Sequence, residues 1–229
     1  MSVVIVGNGT GLLGTGLGPV IDSFDTVVRM GRCVTTGFEK DYGTKVDVYG
    51  INWFLIEKLL NFYEKGHNSY LESSYPFNIK DSFSNLGGIF SLFDYSSILF
   101  SFEHPKNLRK ADPSYQIKWS SDKYNHFYNH DKIIKRLWSR DTEFSYLSMS
   151  DFNLHLDAAG VVPSSGFFFL NMVLELFKDE EIYLAGFDGF SSGWYWYPDF
   201  KHSVCHPMFY ELMFIEKLKR KGILKILRN

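Results

Sequence analysis

Apolar residues come in short runs bounded by glycine, proline or polar turns. Residues 2–6 (Ser-Val-Val-Ile-Val) form a β-branched run that ends at Gly7, the pattern of a parallel strand buried on both faces. Runs at 26–30, 45–49, 97–102 and 182–186 predict further strands, and 223–227 predicts a short edge strand. Helical spacing lies between them. Trp53, Ile56, Leu59, Leu60 and Tyr63 share one side of a helix over 53–64, and Ile133, Ile134, Leu137 and Trp138 one side of a helix over 131–140. Pro19 opens a short helical turn to Asp22, and Asp151 is a candidate N-cap. Pro163-Ser164-Ser165-Gly166 reads as a capped turn before a strongly apolar helix over 167–177. Pro207 fits the first position of a last helix that runs to Lys221 and ends at Gly222. Strands alternating with helices predict an α/β fold, with a mostly parallel central sheet and helices on both faces.

The chain has 229 residues, 45% of them hydrophobic, enough for one sizeable core. One domain over 1–229 is therefore expected. Residues 66–95 read as irregular, and the polar, aromatic stretch 111–130 as a mobile lid. A net charge of −2 argues against a polyanion or nucleic-acid binder. Aromatic content is 18%, which suits either core and lid packing or the faces of sugars. Cys33 and Cys205 lack metal-ligand spacing and do not form a secreted disulfide framework. The first residues read as a strand rather than a signal peptide, and no apolar run approaches the roughly 20 residues of a spanning helix. The expected location is the cytoplasm, with peripheral contact at the inner face of a membrane left open.

Six glycines fall within residues 7–18, and Gly9-Thr10-Gly11-Leu12-Leu13-Gly14 fits the dinucleotide fingerprint G-x-G-x-x-G directly after a strand. An NAD(P)-dependent oxidoreductase is thus one alternative. Against it, Pro19 interrupts the place of the long crossover helix, the second strand begins too early, and Arg29 stands where an acidic ribose ligand is expected.

A second stretch rich in chemistry follows the 182–186 run. Residues 193–206 (Gly-Trp-Tyr-Trp-Tyr-Pro-Asp-Phe-Lys-His-Ser-Val-Cys-His) hold two histidines four apart, with phenol and indole donors close by. A loop leaving the carboxyl end of a strand is where open α/β sheets hold ligands. Such a stretch offers a general base and hydrogen-bond donors for an anionic leaving group. His126 and His130 are also four apart, but no third metal ligand accompanies them, so we expect no metal.

Several stretches together resemble the sialylmotifs of sialyltransferases (glycosyltransferase family 29). Val4 to Gly9, the glycine segment, Ile21-Asp22-Ser23-Phe24-Asp25, Val28-Arg29-Met30 and residues 36–45 resemble the large motif. Pro163-Ser164-Ser165-Gly166, the apolar helix and residues 181–187 resemble the small motif. Trp194-Tyr195-Trp196-Tyr197 is similar to a diverged aromatic motif, and His206 with Glu211, spaced H-x4-E, matches the very small motif. His202-Ser203-Val204-Cys205-His206 is also similar to the end of compact bacterial lipooligosaccharide sialyltransferases. The resemblance covers about half the chain and implies a single Rossmann-like domain, a variant of the GT-A fold. It implies a CMP-sugar donor, inversion at the anomeric centre and no metal or other cofactor.

The resemblance also implies roles. His206 is the expected general base, and a position at a helix N-terminus favours the neutral imidazole a base requires. Glu211, one helical turn beyond it, either orients that histidine or a loop amide, or is a solvated helix glutamate. Tyr195, Tyr197 and His202 are candidate donors to the leaving phosphate. Asn8 and Gly9 are expected at the CMP phosphate or ribose. Ser164, Ser165 and Gly166 are expected at the cytidine or its ribose, with an ordinary N-cap as the alternative. Gly186 and Asp188 follow the strand of the small motif, Asp188 being a contact for donor or acceptor or simply a turn former. The sequence departs from the family at Gly31, where the large motif carries Asn, and Asn52 is the candidate substitute. Tyr195 replaces the histidine of the aromatic motif, and Val3 and Val4 stand where animal enzymes have the cysteine of an inter-motif disulfide.

The expected activity is transfer of sialic acid from a CMP-sugar to a glycan hydroxyl. The alternatives are transfer of another CMP-activated ulosonic acid such as Kdo, the oxidoreductase, and an inactive nucleotide-sugar-binding homologue. The acceptor is expected to be a glycan on a surface lipid or polysaccharide. The basic tail (Lys217, Lys219, Arg220, Lys221, Lys225, Arg228) complements a helix dipole and also suits an anionic membrane.

Overall fold

The structure is a computed structural model. Its described residues are 1–31, 35, 37–51, 97–100, 143–146, 154, 157–160, 163–188 and 207–228. The expected helices over 53–64 and 131–140, the Asp151 cap, the lid and both cysteines lie outside them.

Seven strands form one sheet: β1 (Ser2–Val6), β2 (Thr26–Met30), β3 (Val48–Ile51), β4 (Ser97–Phe100), β5 (Glu143–Tyr146), β6 (Glu181–Ala185) and β7 (Lys225–Ile226). Their spatial order is β5-β4-β3-β2-β1-β6-β7, and every pairing is parallel. The chain starts in the interior of the sheet, steps outward through β2 to β5, then returns to the other side of β1 for β6 and β7. The order therefore reverses between β1 and β6.

Both faces of β1 are buried, which explains its unbroken apolar run. Val3 and Ile5 face a core with Phe168, Phe169, Leu170 and Val173 of α3 (Ser165–Leu176) and Ile215 of α4 (Met208–Arg220). Val4 and Val6 face a second core with Leu12, Leu17, Ile21 of α1 (Gly18–Asp22) and Tyr42 of α2 (Glu39–Tyr42). Helices thus cover both faces of a parallel sheet.

The elements differ from expectation in instructive places. The third strand begins at Val48 rather than residue 45. The preceding backbone is held by side chains instead: Asp22 accepts from the amides of Thr44 and Lys45, and the Lys45 carbonyl accepts from Arg29 Nε. α2 is a single turn, too short for periodicity to reveal. β5 lies outside the expected strands, although Phe144 and Tyr146 alternate within it. α4 begins at Met208, with Pro207 as its N-cap rather than its first helical residue. It ends on Gly222 at φ +72°, whose amide bonds the Lys219 carbonyl while Ile223 N–H reaches back to Leu218, the wrap of a left-handed C-cap.

Candidate functional site

Ligands of open parallel sheets sit outside the carboxyl ends of the strands, where strand order reverses. Here that place lies between β1 and β6. The two loops leaving these strands are locked to each other: the Gly7 amide donates to the Ala185 carbonyl at 2.8 Å and the Gly9 amide to Gly186 at 3.1 Å. No side chain fits between them. A Cβ on Gly7 would lie 2.7 Å from the Gly186 oxygen, and one on Gly9 would lie 2.5 Å from Asp188 Oδ1 and 2.7 Å from the Gly186 oxygen. Gly186 itself has φ +69°.

Asn8 lies between these glycines, at the end of β1. Its Nδ2 donates to the Met30 carbonyl at the end of β2 (3.2 Å), while its Oδ1 is buried with no hydrogen-bond partner. An unpaired buried carbonyl oxygen is costly and marks a place for a donor from elsewhere. Gly31 adjoins it: a Cβ there would lie 3.2 Å from Asn8 Nδ2. Gly31 has φ +64°, its amide donates to Gly50, and its carbonyl accepts from the Tyr49 hydroxyl. After glycine, asparagine is among the residues that best tolerate this left-handed backbone. Exchange between Asn and Gly at this point therefore keeps the turn and removes only a side chain.

The small-motif turn reaches the same edge. A Cβ on Gly166 would lie 3.3 Å from Met30 Sδ and 3.7 Å from the Phe187 ring. Ser164 caps α3 by accepting from the Phe167 amide at 3.2 Å. It is also clamped by α4: Glu211 accepts from the Ser164 amide at 2.5 Å and from its hydroxyl at 2.7 Å. Glu211 is only 7% exposed, so the solvated-glutamate alternative is wrong and the loop-amide alternative holds. Burial raises its pKa above the ordinary 4.5, against the lowering effect of the two Ser164 bonds. Because those bonds engage both donors of Ser164, Glu211 fixes the position of this turn. Phe167 also packs edge-on against Phe214 of α4 at 5.0 Å.

The glycine segment is not a dinucleotide cradle. After Gly9 the chain makes a 3-10 turn at Thr10–Leu12 and then the five-residue α1, with no long crossover helix. The amides of Gly14 and Gly16 both donate to the Asp41 carboxylate at 2.8 Å, and these two bonds lower its pKa. The protein's own anion thus occupies donors that a phosphate would need. Tyr42, fully buried, donates its hydroxyl to the Gly9 carbonyl at 2.7 Å, and burial pushes its phenol far above the ordinary value of 10.0. Arg29 is also fully buried, donating to the carbonyls of Lys45 (2.8 Å) and Tyr42 (2.6 Å), with Asp22 Oδ1 at 3.8 Å. It braces the turn behind the site and is not a ligand substitute. These features argue against the oxidoreductase alternative.

Asn8, Gly9, Gly166, Gly186 and Asp188 are therefore gathered around Met30 and Phe187, with Ser164 and Ser165 on the same turn of α3 as Gly166. His206, Tyr195, Tyr197, His202 and Asn52 lie outside the described residues. The sequence carries no local signal for the supporting roles of Asp41 and Tyr42 beyond their place in the large-motif stretch, and it marks Arg29 otherwise only as standing where an acidic ribose ligand is expected. Among the described residues no three His, Cys, Asp or Glu side chains gather as a metal site, and no helix is long and apolar enough to cross a membrane.

Comparison with known proteins bears on the family and the fold. The profile of glycosyltransferase family 29 (sialyltransferase) matches residues 2–223. Alpha-N-acetylgalactosaminide alpha-2,6-sialyltransferase 1 of Gallus gallus is 43% identical over 67 residues, 29% of this chain and 12% of that protein. Alpha-N-acetylgalactosaminide alpha-2,6-sialyltransferase 2 of Mus musculus is 41% identical over 61 residues, 27% of this chain and 16% of that protein. The matched stretches are thus a small part of those relatives' length. Among solved structures, a mammalian sialyltransferase in complex with Gal-beta-1-3GalNAc-ortho-nitrophenol superposes with TM-score 0.51 at 16% identity, covering 100% of this chain and 69% of that one. A further mammalian sialyltransferase structure gives TM-score 0.52 at the same identity and coverage. The fold is shared with them, and with the profile spanning nearly the whole sequence, the chain belongs to glycosyltransferase family 29, the sialyltransferases.

Proposed function

We propose that the protein transfers sialic acid from a CMP-activated donor to a hydroxyl of a glycan, with inversion and without a metal. The carrying observation is the buried, unpartnered Oδ1 of Asn8 at the reversal of strand order, between two glycines that the close approach of the neighbouring loop requires. Oδ1 of Asn8, an acceptor, meets a ribose hydroxyl of CMP, with Gly9 closing the β1 loop beside it and Gly186 and Asp188 on the opposite loop. Ser165 and Gly166, at the N-terminus of the twelve-residue α3, offer amides and a hydroxyl to the cytidine side. Ser164 supports that turn through Glu211, so Glu211 is a positioning residue rather than a catalytic one.

His206 directly precedes the α4 cap in sequence and acts as general base. It takes the proton of the acceptor hydroxyl as that oxygen attacks the anomeric carbon. The bond from that carbon to the phosphate oxygen breaks, and CMP leaves with its electron pair. Tyr195, Tyr197 and His202 donate hydrogen bonds to the departing phosphate, whose charge neutral or cationic donors can meet. The acceptor is a glycan on a lipid or polysaccharide. Gly31 lacks the side chain that the family pattern carries beside Asn8, so CMP-Kdo belongs in the donor panel.

The test is calorimetric titration of CMP, UDP and NAD in EDTA, then donor hydrolysis and transfer with CMP-sialic acid and CMP-Kdo. Selective CMP binding, lost in Asn8→Ala, with turnover lost in His206→Ala, is the expected result. Binding without any turnover over a broad acceptor panel would mark an inactive homologue. Absence of CMP binding by folded protein would overturn the proposal.

A further inference from the structure

The exposed face of α4 is apolar in its first turns and basic in its last. Phe209 is 77% exposed, more than any other large apolar side chain among the described residues. Met213, four residues on, is 59% exposed, and Leu212 is 37% exposed. Phe209, Met213, Glu216 and Arg220 follow i, i+4, i+7 and i+11, a single line along the helix, with Lys217 and Lys219 flanking it. The opposite side of the helix, with Glu211 and Ile215, is buried against the rest of the fold. Just past the helix, Ile223 is 46% exposed.

The charges at the end of this helix and in the tail after it are lopsided. Residues 217–228 contain six Lys or Arg and no Asp or Glu, in a chain whose net charge is −2. Glu216 pairs with Lys219 and Arg220, and Lys225 pairs with Glu181. Lys217, Lys221 and Arg228 have no carboxylate partner among the described residues. A helix that combines exposed apolar side chains with unneutralised cations supplies the two signals that hold a protein on an anionic bilayer, which neither supplies alone.

We propose that this face of α4 seats the protein on an anionic lipid surface, with Phe209 and Met213 entering the headgroup boundary and Lys217 and the C-cap Lys221 meeting lipid phosphates. Charge complementarity selects a bilayer over a second copy of the chain, whose overall charge is acidic but whose matching face is equally basic. The helix is about 20 Å long, enough to lie along the surface. Its first turn is tied to the small-motif turn by the Glu211–Ser164 bonds, so docking holds the edge of the candidate site at the lipid. Presentation of a lipid-linked acceptor to that edge rests on the proposed transfer reaction; the docking itself does not.

The experiment is co-sedimentation of the full chain with phosphatidylglycerol–phosphatidylcholine vesicles and with pure phosphatidylcholine vesicles, at low and high salt. Wild type should bind the anionic vesicles selectively and lose binding as salt rises. Phe209→Ser should weaken partitioning about 10-fold. Lys217→Gln with Lys221→Gln should weaken it roughly 5-fold per charge. Both variants should keep the wild-type melting temperature and CMP binding, which separates loss of docking from failure of the nucleotide site. No binding of wild type to anionic vesicles, or equal binding to neutral ones, would overturn the proposal. So would concentration-dependent dimerisation in ultracentrifugation that Phe209→Ser abolishes, because a second copy would then be the occupant.

Discussion

Replacing Glu211 by Ala tests the clamp between the small-motif turn and the last helix. The carboxylate accepts two bonds from one residue, the Ser164 amide at 2.5 Å and its hydroxyl at 2.7 Å, in a place where Glu211 is 7% exposed. Truncation leaves the Ser164 amide without its acceptor, about 1–3 kcal/mol, and removes a bond to a charged group, about 1.5–3 kcal/mol. Relief of the buried charge offsets part of this, so we expect a net loss of about 2–4 kcal/mol. At about 2–4 °C per kcal/mol for a chain of this size, the melting temperature should fall by roughly 5–15 °C. A double-mutant cycle with Ser164→Ala isolates the pair, and its coupling should exceed about 1 kcal/mol. Glu211→Gln supplies a pH test. Burial raises the folded pKa of Glu211 above 4.5, so the folded state holds the proton more tightly than the unfolded state. The group's contribution to stability is therefore largest below pH 4.5 and falls as pH rises through the raised value. The stability of wild type minus that of the Gln variant, followed by denaturant unfolding, should decline with pH over that window and then level off. A coupling below about 0.5 kcal/mol, or a difference that climbs with pH, would refute the buried clamp.

Asp41→Asn should lower stability by about 1–2 kcal/mol, because two backbone amides lose a charged acceptor. Those bonds lower the folded pKa of Asp41, so its stabilisation is present above the ordinary 3.8 and disappears as pH falls through the lower folded value; acid unfolding of the Asn variant should lack that component. Gly9→Ala would place a Cβ 2.7 Å from the backbone oxygen of Gly186 and should cost about 1–3 kcal/mol in thermal unfolding, with loss of CMP binding measured by calorimetry. At Gly31, with φ +64°, Gly31→Val should destabilise by about 1–2 kcal/mol, whereas Gly31→Asn should fold nearly as well as wild type and shift CMP affinity through the new side chain beside Asn8.

Strands buried on both faces were readable because continuous β-branched runs have no other cheap explanation. β1 and β2 have the expected bounds, and β6 differs from its expected run by one residue at each end. The start of β3 was misplaced because the chemistry there is long-range: Asp22 and Arg29, more than fifteen residues away in the chain, hold the backbone of Thr44 and Lys45. No local pattern carries that information. The same holds for the site. Asn8 and Gly9 were visible because they follow a strand directly, and Ser164 because it caps a helix. That Ser164 faces Glu211, 47 residues on, depends on how two helices pack, for which the sequence offers only the H-x4-E spacing.

These long-range ties also explain why so much of the large motif contains no ligand candidate. Asp22 accepts from Thr44 and Lys45, Arg29 donates to Tyr42 and Lys45, Tyr42 reaches the Gly9 carbonyl, and Asp41 holds Gly14 and Gly16. A Cβ on Gly18 would lie 2.0 Å from the Glu39 carbonyl, so α1 and α2 approach as closely as backbones allow. Every one of these contacts joins two stretches of the same motif, and together they set the height of the β1 loop on which Asn8 sits. Changes to this bracing should therefore be felt twice, once as stability and again as a displaced Asn8. Changes at Asn8 itself should leave folding nearly intact and appear only in nucleotide affinity. That asymmetry separates scaffold residues of the motif from ligand residues without a bound nucleotide in view.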